Sequence, residues 1–195
     1  MNNFLASYKE SLVTLINYID QTIIQDVINS LESVSSNNGK IYIIGNGGSA
    51  ATASHMVNDF GTGLARRDIR YFNIESLSDN TSVCTALAND IGYDYIFSMQ
   101  LKNKINHNDL LIAISCSGNS TNILNAVEYA KKNNATVIGL TGFDGGELKE
   151  LSDINFHVDT QKNEYGLVED LHVIFNHIIY SYYVNGKDSI DEKNI

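Results

Sequence analysis

Residues Ile41–Phe60 read IYIIGNGGSAATASHMVNDF, and this stretch decides the fold. The β-branched and aromatic run Ile41-Tyr42-Ile43-Ile44 stops at Gly45-Asn46-Gly47-Gly48-Ser49, and an alanine-rich helix carrying His55 and Asp59 opens behind it. Strand, glycine turn, helix: that order presents bare backbone N–H groups and the positive end of a helix dipole to a cavity, where anions bind. His55 and Asp59 lie four apart, so they share one helical face. A small polar ligand held by the loop therefore meets a titratable pair on the helix that follows.

Working outward, 195 residues with 43 % hydrophobic content suffice for one globular domain with a full core. No apolar run reaches the roughly 20 residues that span a bilayer. The amino terminus, MNNFLASYKESL, lacks the basic-then-apolar order of a secretory signal. Two cysteines, Cys84 and Cys116, form no disulfide framework and fit a reducing compartment, so the expected location is the cytoplasm. A formal charge of −10 argues against a nucleic-acid partner, which calls for a basic stripe. It does not exclude a phosphorylated ligand, because loop amides bind phosphate without net positive charge.

Residues 3–36 carry apolar side chains at spacings of three and four, from Phe4 through Leu12, Leu15, Ile19 and Val27 to Val34, and read as one long helical block. Ile24 and Ile28 widen the stripe beyond one face, which favours an oligomer interface over the plainer reading, core packing within one chain. Asn37-Asn38-Gly39 ends the block, with Gly39 suited to a left-handed cap. Strand candidates follow at Lys40–Ile44, Tyr71–Ile74, Leu110–Ser115, Thr136–Leu140 and Ile154–Val158. Helical segments lie between them at about Ser49–Leu64, Ser82–Ala88, Tyr93–Lys102 and Ser120–Asn133, and a last helix covers about Tyr165–Val184. Short apolar strands separated by helices predict an α/β fold with a parallel sheet covered on both faces, its ligand at the strand carboxyl ends where strand order reverses. No repeat, linker or second domain interrupts this pattern. The chain reads as a single domain over 1–195: a helical segment at 1–36, the α/β core and last helix at 40–185, and a polar, fraying tail at 186–195.

A second glycine-containing turn, Ser115-Cys116-Ser117-Gly118-Asn119-Ser120, follows the third strand and opens the next helix. Its hydroxyls and helix-terminal amides form a neutral cradle for a phosphate dianion. One serine-rich turn is more often a helix cap, but two such turns on one parallel sheet favour a phosphosugar-type ligand. Gly45-x-Gly47-x-x-Ala50, with Glu75 ending the second strand, also satisfies the loose dinucleotide fingerprint; that rival leaves the second cradle and the His55/Asp59 pair without a role. Asn89-Asp90 reads as a turn signal or a ligand contact, and Thr141–Gly146 as a loop that shapes the cleft. On the last helix, Glu169 and His177 are eight apart, with His172 three on from Glu169. A carboxylate and two histidines on one side of a packed helix mark a site.

GNGGSA at Gly45–Ala50, His55 with Asp59, SCSGNS at Ser115–Ser120, LTGFDGG at Leu140–Gly146 and EDLHVIFNH at Glu169–His177 together resemble the SIS (sugar isomerase) domain proteins. The resemblance is strongest to the bacterial phosphoheptose isomerases, which interconvert sedoheptulose 7-phosphate and D-glycero-D-manno-heptose 7-phosphate, and it runs essentially the whole chain. It implies a three-layer αβα sandwich with a five-stranded, flavodoxin-like parallel sheet, and a homotetramer in which the terminal helices pack together with sites at subunit interfaces. It places Asn46, Gly47, Gly48, Asn89 and Asp90 on the sugar phosphate, with Ser115, Cys116, Ser117 and Ser120 on its phosphoryl group. It implies a zinc site at His55, Asp59, Glu169 and His177. The two histidines match that pattern, whereas Asp59 stands in place of a glutamate and Glu169 in place of a glutamine. Relatives often carry an arginine where Gly61-Thr62-Gly63 stands here, leaving Arg66, Arg67 or Arg70 as its substitutes.

Aldose–ketose isomerisation moves a proton between C1 and C2 through an enediol and needs one base and one acid. The resemblance gives those roles to Asp59 and His177, with Glu169 also on the substrate, and sends the heptose to lipopolysaccharide or capsule. The competing expectations are isomerisation of another ketose phosphate, a phosphosugar-binding regulator and a non-catalytic protein-binding relative. Gly48 and His177 favour an enzyme.

Overall fold

The computed structural model describes residues 2–191, with side chains over 3–186. Strand β1 (Ile41–Gly45) is buried along its whole length and lies inside the sheet. It pairs in parallel with β2 (Ile74–Ser76) on one side and β3 (Leu110–Ser115) on the other. Strands β4 (Thr136–Gly142) and β5 (Ile154–Val158) extend the sheet beyond β3, giving the order β2-β1-β3-β4-β5 with every pair parallel. The chain leaves β1 toward β2 and returns to the other side at β3, so the topological switch lies between β1 and β3. The two glycine-containing turns end these adjacent strands, as the sequence leads one to expect.

Alternation along the strands divides the apolar residues between two cores. Ile41, Ile43, Leu110, Ile112 and Ile114 face one layer, with α2 (Gln21–Ser36), α3 (Gly48–Met56) and α8 (Tyr165–Asp191). Tyr42, Ile44, Leu111 and Ala113 face the other, formed mainly by α5 (Ile96–Leu101) and α6 (Thr121–Lys132). Each fully buried Ile or Leu contributes about 2 kcal/mol of transfer free energy, so both faces are held. The result is the three-layer αβα arrangement.

The amino-terminal block is two helices rather than one. Helix α1 (Asn2–Asn17) stops short of α2, and Asp20 caps α2 by accepting a 2.7 Å bond from the Thr22 backbone N–H. The α2 half of the apolar stripe (Val27, Ile28, Leu31, Val34) is buried in this chain's own core, while Phe4, Leu5 and Val13 of α1 are exposed. Asn38, not Gly39, takes the left-handed conformation, at φ 53°. Gly39 is required for another reason: a Cβ there would lie 2.0 Å from the Asn108 carbonyl oxygen.

Further boundaries differ from the sequence reading. The second strand begins at Ile74 rather than Tyr71, because pairing starts only where the Asn73 carbonyl reaches Ile41 N–H at 2.8 Å. The expected Ser49–Leu64 helix is α3 followed by a π-helical stretch, Val57–Gly63, and Tyr93–Lys102 divides into a 3-10 turn (Tyr93–Tyr95) and α5. Helices α4 (Thr81–Asp90) and α7 (Gly146–Leu151) complete the set; α7 falls where the sequence suggested only loop. Helix α8 continues to Asp191, past the expected end at Val184 and into the expected polar tail, whose residues 192–195 lie outside the described part. Among the described residues no helix is long and apolar enough to cross a membrane.

Candidate active site

At the end of β3, the Gly118 N–H turns back onto the Ser115 carbonyl (3.0 Å) and α6 starts at Thr121. Ser120 occupies the N-cap position of α6, yet its side chain makes no capping bond; its Oγ lies 3.3 Å from Ser115 Oγ instead. A serine placed to cap a helix but facing another hydroxyl leaves both oxygens available to a ligand. Ser115, Cys116, Ser117 and Ser120 line a cavity of about 180 Å³, which Asn46 and Ser49 close from the β1 turn. Both turns therefore face one space. A larger cavity of about 440 Å³ lies between Leu15, Ile23 and Phe156, has a mainly apolar lining and includes none of these residues.

Asn46 is locked by its neighbours. Its Nδ2 donates to Asn122 Oδ1 and its Oδ1 accepts from Asn122 Nδ2, both at 2.9 Å, and the Tyr93 hydroxyl donates to the same Oδ1 at 2.8 Å. Asn122 is buried on α6 and was not singled out in the sequence. A polar residue inside the apolar face formed by Ile123, Ala126 and Val127 was the available signal. Gly47 and Gly48 are exposed at the mouth of the loop.

Helix α3, its π-helical continuation and α8 bring together three titratable groups. His55 Nε2 lies 2.9 Å from His177 Nε2 and 3.2 Å from Asp59 Oδ2. Both histidines are exposed, whereas Asp59 is buried. Asp59 sits in the π-helical stretch, a widened turn that often accompanies function. Its Oδ2 accepts from Asn176 Nδ2 at 2.7 Å and its Oδ1 from Asn58 Nδ2 at 3.2 Å. His172 belongs to the core, not to this group: it is 1 % exposed, and its Nε2 lies 3.2 Å from the Thr141 carbonyl. Burial pushes its pKa down to about 4, so the ring is neutral.

Glu169, half-buried on α8, reaches the serine cavity rather than the histidine pair, and its carboxylate covers the bare Cα of Gly48. Cys116 registers that charge. Burial first, and the Glu169 carboxylate second, push its thiol up to about 11. Cys116 is thus neutral near pH 7 and offers a phosphate no competing negative charge. Tyr165 flanks the cavity beside Glu169, held edge-on to Phe143 at 5.0 Å between ring centres. Asn89 and Asp90 bond to each other at the exposed end of α4 and line no part of this cavity. Arg67 meets the Tyr180 hydroxyl, Arg70 pairs with Glu32, and Arg66 borders a separate cavity beside Tyr71. None of the three lines the serine cavity.

His55, Asp59 and His177 place one ligand atom each within 4.8 Å of the others, a possible divalent-cation site of two imidazoles and a carboxylate. The donor set fits: two Nε2 atoms face each other, and either a shared proton or a cation must separate their lone pairs. Glu169 is outside this group of three.

Comparison with known proteins identifies the family. The sequence profile of the SIS domain matches residues 3–142. The phosphoheptose isomerase of Aliarcobacter butzleri is 37 % identical over 179 residues, covering 92 % of each chain. That of Helicobacter hepaticus is 40 % identical over 156 residues, 80 % of this chain and 78 % of the relative. Among solved structures, the phosphoheptose isomerase GmhA of Neisseria gonorrhoeae superposes with a TM-score of 0.82 at 29 % identity, over 94 % of this chain and 98 % of that one. The chain belongs to the SIS domain family and groups there with the phosphoheptose isomerases.

Proposed function

We propose that this protein is a cytoplasmic phosphoheptose isomerase converting sedoheptulose 7-phosphate into D-glycero-D-manno-heptose 7-phosphate. One observation carries the reading: the serine cradle lies at the switch point of the sheet, and the two helices that bring Ser49 and Glu169 to it, α3 and α8, also carry His55 and His177. The cradle anchors the phosphoryl group through Ser115, Ser117 and Ser120, with Cys116 beside them and Asn46, Gly47 and Gly48 along the sugar. Anchoring at one end orients the other, which is worth several kcal/mol of barrier.

The Asp59 carboxylate takes a proton from C1 of the ketose while His177 protonates the C2 oxygen, giving the enediol. Asp59 then returns the proton to C2 as His177 takes back the proton of the C1 hydroxyl, leaving the aldehyde. Atoms balance, and both groups end as they began. His55, Asp59 and His177 would hold a zinc ion, and Glu169, whose carboxylate here turns to the serine cavity, would join them as the fourth side chain only by changing rotamer. When bound, zinc supplies Lewis-acid polarisation of a substrate oxygen.

The exposed α1 side chains and the position of Asn89 and Asp90 outside the cavity favour a homotetramer in which those two residues serve a neighbouring subunit's site. The heptose would feed lipopolysaccharide or capsule synthesis. The test is turnover of sedoheptulose 7-phosphate in deuterated water by metal-free and zinc-reloaded protein, with proton exchange followed by NMR. Deuterium entering C2 of a newly formed aldose is the expected result. Phosphosugar binding without exchange under either condition would replace this reading with that of a regulator.

A further inference from the structure

Asn176 is 0 % exposed, one residue before His177 on α8, between Phe175 and Ile179 of the core. Its Nδ2 donates to Asp59 Oδ2 at 2.7 Å, while its buried Oδ1 has no partner. A half-satisfied amide in an apolar core disfavours folding relative to an apolar side chain of the same size. The stability of the amide itself therefore does not account for it; its one bond serves the buried Asp59 carboxylate.

Geometry does. Asp59 Oδ2, the oxygen that takes the Asn176 amide, is also the one 3.2 Å from His55 Nε2. The terminal torsion of an aspartate is broad and two-fold, so an unheld carboxylate exchanges its two oxygens freely. Asn58 supplies only a 3.2 Å bond to Oδ1 from an exposed side chain. The Asn176 bond is shorter and charge-assisted, and only the amide nitrogen can face a carboxylate, which also explains why Oδ1 is stranded.

We propose that Asn176 is a positioning residue that locks Asp59 Oδ2 toward His55 and His177. Its kinetic arm rests on the isomerase reading above; its metal-binding arm does not.

The test compares Asn176→Leu, which keeps the branched shape at a larger volume and removes the donor, with Asn176→Ser, which is smaller and too short to reach Asp59. Asn58→Ala serves as the control. Zinc ion is titrated against a chromophoric chelator, melting temperature is measured without metal, and kcat and KM are measured with sedoheptulose 7-phosphate. Expected for Asn176→Leu are a protein that still melts cooperatively, zinc affinity and kcat each lower by 10- to 100-fold, and KM within twofold. Asn176→Ser should show the same losses, and Asn58→Ala changes of less than about threefold. Zinc affinity within twofold of the parent in a folded Asn176→Leu variant would overturn the proposal. So would failure of both Asn176 variants to fold, since the amide would then serve stability. A parent that binds zinc but does not turn over the sugar, with zinc still weakened in Asn176→Leu, removes the isomerase reading and leaves this inference standing. A parent that does neither removes both.

Discussion

The Glu169 carboxylate lies across the bare Cα of Gly48, so a side chain at position 48 would collide with it. This relationship ties α8 to the first turn and puts a negative charge at the edge of the serine cavity. Replacing that charge should help an anion. Glu169→Gln should bind inorganic phosphate more tightly, by about threefold to tenfold at low salt. The same change should lower the Cys116 thiol from its value of about 11, because Glu169 is one of the two causes holding it up. Isothermal titration with phosphate and thiolate absorbance against pH check the two halves. Phosphate binding that is unchanged or weaker would show that the carboxylate does not face the ligand.

Ser120 and Asp20 both precede helices, but only Asp20 makes a side-chain cap. Asp20→Ala should therefore cost about 1 kcal/mol of stability and leave phosphate affinity alone. Ser120→Ala should do the opposite, with phosphate binding lost by about tenfold and stability within about 0.5 kcal/mol of the parent. Urea unfolding and phosphate titration of the two variants separate the roles. A Ser120→Ala protein as destabilised as Asp20→Ala would return Ser120 to the ordinary capping role.

Both turns and every strand but the second are legible because their signals are local. Ile41–Ile44 and Leu110–Ser115 are short apolar runs, and each ends in a turn visible in the sequence. The break at Tyr18–Asp20 was hidden because apolar spacing runs straight through it; the Asp20 cap overrides a periodicity that would otherwise continue. The π-helical turn was invisible for a similar reason, since seven residues cannot separate its pitch from that of an α-helix. The sequence reading puts His172 and His177 on one side of the last helix, and the geometry of that helix separates them. Five residues along an α-helix are about 140° apart, so one ring enters the core and the other reaches the site. Asn122 and Asn176 were missed because their importance lies in partners 76 and 117 residues away. Nothing local to either asparagine names those partners.

Asp59 and His177 are the two groups assigned to proton transfer, and neither belongs to the serine cavity. Asp59→Asn and His177→Ala should each lower kcat by about 10² to 10⁴-fold, the usual range for one acid or base. Inorganic phosphate should bind both variants within about twofold of the parent, because the cradle hangs from β1 and β3. Steady-state kinetics alongside phosphate titration make the comparison. Either variant retaining full turnover would remove that residue from the mechanism.

His172 sets a pH dependence of stability unrelated to catalysis. Its Nε2–H donates to the Thr141 carbonyl, and its Nδ1 is buried without a partner. Burial, with a smaller push from His157, lowers its pKa from 6.5 to about 4, and the Thr141 bond only partly opposes this. Between those two values the unfolded chain takes a proton that the folded chain refuses. Stability is thus complete above about pH 6.5 and falls as pH drops toward 4, by about 3 kcal/mol over the whole window. His172→Gln keeps a donor for Thr141 and removes the titration. Urea unfolding at one fixed protein concentration, at pH 7 and pH 4.5, should show a smaller difference between the two pH values in that variant, by about 2 kcal/mol. Equal differences in the variant and the parent would assign the acid sensitivity to surface carboxylates instead, since those titrate identically in both proteins.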